Sequence, residues 1–130
     1  MLGIAMAVVL AAHGIGHAIG VAGGWAGNAW GGSGESWLLS PALGRLTGVV
    51  EGVIWLVPAL LFVAAAGAVA GGLDLWRALA VAGALTSLLA IGLFPMQLQT
   101  SSLIGAVVIN AGVLVSLLVL RWPAAEALAR

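Results

Sequence analysis

The chain has 130 residues, with four Lys+Arg, four Asp+Glu, two His and no Cys; hydrophobic residues make up 63% and charged residues 6%. A soluble domain carries roughly 25% charged residues, so this composition excludes one, and it equally excludes disorder, which needs low hydrophobicity. Zero net charge leaves no electrostatic footprint for nucleic acid, and the lack of Cys removes disulfides, thiolate metal sites and cysteine nucleophiles.

What remains is an all-α integral membrane protein. A spanning helix needs about 20 mostly apolar residues. Met1 to Gly34 carries no charge, which predicts a first span at about 2–21. No basic n-region precedes it, so it reads as a span rather than a signal peptide. A Gly-, Ser- and Trp-rich loop follows at 22–43, longer than most connections. The second span is placed at about 44–66, with Glu51 inside it. Pro58 removes a hydrogen bond to the Ile54 carbonyl and should kink that helix. From Ala78 to Leu120 there is no charge, over a length that would make about 64 Å of helix, twice a hydrocarbon core. The chain must turn within it, and Phe94-Pro95 followed by the polar run to Ser102 is the turn. That sets a third span at about 75–94 and a fourth at about 103–120. The expected architecture is one four-helix, up-down-up-down bundle covering residues 1–130.

Arg77, Arg121 and Arg130 fall on one side of this topology and Arg45 on the other, which predicts both termini in the cytoplasm. Trp76 and Trp122 then mark the inner interface, and Trp25, Trp30 and Trp37 the outer one. Glu35, Asp74, Glu126 and the arginines read as solvated ends.

Ionisable groups at membrane depth are costly and default to functional candidates. Here they are His13, His17 and Glu51. From the rise per residue, His17 lies about 6 Å in from the outer face, and Glu51 and Asn110 about 10 Å. His13 is one turn deeper on the face of His17. The expectation is one layer in which His17, Glu51 and Asn110 meet, with His13 beneath and Trp55 as a wall. Thr86 and Ser87 fall near the midplane. Gly16, Gly20 and Gly24 in the first helix, and Gly44, Gly48 and Gly52 in the second, keep the four-residue spacing that lets helix backbones approach in lipid. These stripes read as packing faces or as surfaces for a homo-oligomer or a larger membrane complex.

Several chemistries fit the layer. His13, His17 and Glu51 could ligate a divalent metal, although Gly14 stands where a zinc peptidase has its catalytic Glu. Two histidines one turn apart cannot grip both faces of one haem, but either could be a single axial ligand. Glu51 with a neighbouring His could couple a proton to transport, as in four-helix multidrug exporters, which carry their acid in the first helix rather than the second. The same residues could instead be hydrogen-bonded structural groups in a scaffold or accessory subunit.

The run Ala12-His13-Gly14-Ile15-Gly16-His17, the Gly/Trp-rich loop and the second helix around Glu51-Gly52 and Trp55 resemble small four-helix bacterial membrane proteins without assigned function, loosely similar to the DoxX-like group. That resemblance implies the bacterial inner membrane and no particular activity. Ser40-Pro41-Ala42-Leu43-Gly44 and Pro58 are similar to the second helix of the styrene oxide isomerase type, a haem-containing oligomer. Leu39 or its neighbour stands where that family's haem-ligating His is expected, so neither haem nor isomerase activity is carried over.

Overall fold

The computed structural model describes residues 1–27 and 33–124, so Trp30, Glu126 and Arg130 lie outside the described residues. The described residues are helical, with no strand among them. The helices are α1 (Leu2–Gly16), α2 (Ala18–Ala26), α3 (Ser40–Leu43), α4 (Thr47–Ala70), α5 (Trp76–Leu93) and α6 (Thr100–Leu114). A 3₁₀ turn at Gly44–Leu46 joins α3 to α4, and a π turn at Val115–Val119 extends α6. They combine into four rods long and apolar enough to cross a membrane: Leu2–Ala26, Ser40–Ala70, Trp76–Leu93 and Thr100–Val119.

Four boundaries differ from the sequence reading by three residues or more. The first rod runs to Ala26 instead of residue 21, so Trp25 is helical. Gly23 and Gly24 do not break it because they pack against neighbouring segments, and it ends at Gly27, whose φ of 78° suits glycine. The second rod begins at Ser40 and ends at Ala70, with Pro41 in its first turn, where a missing N–H costs nothing. The fourth begins at Thr100, three residues early, behind Gln99 in extended conformation. Thr100, Ser101 and Ser102 form its first turn, where polar residues are tolerated. Pro58 lies within α4, which continues on both sides of it.

α1 and α2 meet at His17, and the cause is local. His17 Nδ1 donates to the His13 carbonyl at 2.8 Å, the acceptor that the His17 backbone N–H would use in an α-helix. The backbone N–H donates to Gly14 O instead, at 3.1 Å. A side chain entering the ladder in this way bends a helix.

α4 is the central element and packs on α1, α2 and α5; α6 packs on α5. One core cluster gathers Leu10, Phe62, Ala65, Ala80, Ala84 and Leu117 from all four rods. A second, smaller cluster holds Trp55, Ala90 and Ile91. The glycines let these layers close. A Cβ at Gly24 would come 2.5 Å from Gly52 N and 2.6 Å from Gly48 O, so two helix backbones touch there. Of the two stripes, Gly20, Gly24, Gly48 and Gly52 are used within the chain, whereas a Cβ at Gly16 or Gly44 would meet nothing within 4 Å.

Two sets of hydrogen bonds define the ends of the bundle. At one end, Ser33 N donates to Met96 O at 3.0 Å and Trp37 Nε1 to Gly92 O at 2.8 Å. At the other, Arg77 donates to the carbonyls of Arg121 and Pro123 and stacks on Trp76.

Candidate functional site

Between the two core clusters lies a closed hydrogen-bonded circuit. Its directions follow from two backbone carbonyls, which can only accept. Asn110 Nδ2 donates to Ala106 O at 2.8 Å, so the amide oxygen faces the other way, and Oδ1 accepts from His13 Nε2 at 3.3 Å. The second Nδ2 hydrogen goes to Ser87 Oγ at 2.8 Å. His17 Nδ1 donates to the His13 carbonyl, which leaves Nε2 as an acceptor. Ser87 Oγ donates to that Nε2 at 2.7 Å. The circuit therefore runs from His13 through Asn110 and Ser87 to His17 and back to the His13 backbone.

Every donor and acceptor in this circuit is used except one. His13 Nδ1, which must carry a lone pair, has no hydrogen-bond partner among the described residues. Aromatic rings hold the histidines in place: Phe62 lies edge-on to His13 at 4.5 Å between centroids, and Trp55 lies 5.8 Å from His17. Gly14 admits Phe62, since a Cβ there would meet Ala59 O at 2.9 Å. His17, Ser87 and Asn110 are buried and His13 is half-buried.

The half-buried side of His13 faces a groove of about 570 Å³ between the first and fourth rods. His13, His17, Gly16 and Gly20 line one wall, Gly105 and Ala106 the other, and Trp55 lies between. The groove is wide because its walls are small: a Cβ at Gly16 or Gly105 would meet nothing within 4 Å. Apart from Ser102 the rest of the lining is apolar, and the fourth rod is the least covered of the four.

Of the expected layer, the structure brings together His13, His17 and Asn110, with Trp55 as a wall. Glu51 does not join it. Glu51 is one turn along α4 from Trp55, and the residues of that helix that meet His17 are Trp55 and Phe62. The Glu51 carboxyl lies instead against Gly34, where a Cβ would come 2.5 Å from Oε2. Among the described residues no three of His, Cys, Asp and Glu form a set that could hold a metal ion, and both ring nitrogens of His17 are engaged. The His13, His17 and Glu51 set is thus not assembled around one point.

Ser87 is the residue the sequence undervalued. A lone Ser in an apolar helix gives no signal, since its hydroxyl usually bonds its own helix, as Thr86 does to Ala82 O. Only the arrival of Asn110 and His17 from other helices makes Ser87 the junction.

No protein-family model matches the chain, no curated protein matches it, and no solved structure matches it.

Proposed function

We propose that this chain is a four-span membrane protein that takes one small, largely apolar molecule from the bilayer into the groove between its first and fourth helices. His13 Nδ1 accepts a hydrogen bond from a hydroxyl or N–H group on that molecule. The observation that carries the reading is the coincidence of one spare acceptor with one groove. The circuit consumes every other polar atom it contains, and the groove volume of about 570 Å³ lies within the range of small-molecule sites. An apolar lining with few placed polar groups fits a molecule that partitions into lipid.

The up-down topology with both termini in the cytoplasm belongs to the same reading. Arg77 and Arg121 share one end of the bundle, and Arg45 lies in the 3₁₀ turn at the start of the second rod. The expected location is the bacterial inner membrane.

The test uses paired probes on protein in nanodiscs. 1-Naphthol should raise the unfolding temperature saturably, and 1-methylnaphthalene, which has the same ring without the donor, should raise it less. Gly105→Leu fills open space in the groove wall and should abolish both responses while the protein remains folded. His13→Phe should erase the preference for naphthol. Equal responses of the wild type and Gly105→Leu would refute the reading.

A further inference from the structure

The buried polar groups at the end of the bundle near Ser33 and Met96 are distinct from the circuit, and the circuit does not satisfy them. Four buried side-chain atoms there find no hydrogen-bond partner in the protein: Glu51 Oε1, Glu51 Oε2, Gln97 Oε1 and Trp55 Nε1. Glu51 is 0% exposed and Gln97 3%. An unpaired carboxyl at that depth is among the most costly groups a fold can bury.

The chain places these atoms in one neighbourhood. Glu51 and Trp55 share a face of α4, one turn apart. The Trp55 ring lies on Gly20 and the Gln97 amide on Gly23, successive positions along α2. Gly34 lies on the Glu51 carboxyl, and its neighbour Ser33 is bonded to Met96, next to Gln97. The Ser33–Trp37 segment, fastened also by Trp37 Nε1 to Gly92 O, covers the group.

Three of the four orphan atoms are oxygen acceptors, and hard cations take oxygen ligands. Trp55 Nε1 is a donor and takes no part in holding a cation. We propose that Glu51 and Gln97 hold a monovalent cation beneath the Ser33–Trp37 segment. Charge decides the valence: one carboxylate neutralises one positive charge, and a divalent ion would leave a net charge buried in low dielectric. This site lies on the far side of Trp55 from the circuit, and the inference does not rest on the groove.

The experiment is equilibrium binding of radiolabelled sodium to the full chain in detergent, with potassium and ammonium as competitors. The expected result is saturable binding that at least one competitor displaces. Glu51→Gln should weaken it by at least about tenfold, the effect of some 1.4 kcal/mol. Gln97→Leu and Gly34→Ala should weaken it less, the second by pressing on Oε2. Glu35→Gln removes an exposed carboxylate one residue from Gly34 and should leave binding unchanged. If Glu51→Gln does not fold, the Gln97 and Gly34 variants carry the test. No saturable binding of sodium, potassium or ammonium to the wild type overturns the proposal, as does binding that survives Glu51→Gln, or Gln97→Leu and Gly34→Ala together, unchanged.

Discussion

Gly24→Ala is expected to cost at least about 3 kcal/mol of stability and to leave little folded protein in mild detergent. The added methyl would meet Gly52 N at 2.5 Å, Gly48 O at 2.6 Å and Gly52 Cα at 2.9 Å. All three are backbone atoms of α4. Side-chain contacts can relax by changing rotamer, but two helix backbones can relax only by moving apart. That separation would also loosen Gly20 from Trp55 and Gly23 from Gln97, which lie on the same stripe. Gly16→Ala supplies the contrast. Gly16 belongs to the same four-residue series, yet its Cβ would meet nothing within 4 Å. Its replacement should change stability by no more than about 1 kcal/mol, in the stabilising direction that alanine brings to a helix. Thermal unfolding of the two variants beside the wild type decides the matter. Equal melting temperatures for both would mean that α2 and α4 are not in backbone contact.

Asn110→Leu carries the second large effect. Leucine keeps the volume and removes three hydrogen bonds at once: from His13, to Ser87 and to Ala106. A buried group left unpaired costs about 1–3 kcal/mol, and interhelical bonds in membranes average less, near 0.6. The expected loss is about 1–2 kcal/mol, the upper part arising because His13 Nε2–H is orphaned while Ser87 loses one donor and keeps its bond to His17. Ser87→Ala should cost a similar amount, and the double variant distinctly less than the sum, because both changes open one circuit. The circuit also fixes the tautomers, which gives a readout that stability alone cannot mimic. ¹⁵N imidazole shifts should report His17 protonated at Nδ1 and His13 at Nε2. In Asn110→Leu the His13 preference should disappear and that of His17 should persist. A wild-type protein with His13 protonated at Nδ1 would contradict the proposed ligand contact, since no acceptor would remain.

Composition and the length of the apolar runs together made the helices legible. With 6% charged residues and apolar runs of spanning length, the chain reads as helices long and apolar enough for a membrane, and the charge-free run from Ala78 to Leu120 had to be divided near Pro95. His13, His17 and Asn110 were also legible, because polar groups in apolar helices are rare and their depths could be counted from the helical rise. Counting depth gives a level within one segment but not the register between segments. Glu51 was therefore grouped with the histidines, although it is Trp55 and Phe62, further along the same face of α4, that meet His17. The glycine series shows the same limit. Spacing identified a stripe, but only packing separated Gly24, pressed between backbones, from Gly16, which opens a groove. Ser87 gained its role only where three helices converge, because a hydroxyl is silent in sequence until its partners arrive from elsewhere in the chain. Hydrophobicity and rise are properties of one segment and are written in it. Rotation, register and the pairing of polar atoms belong to contacts between segments, and the tertiary structure alone decided them.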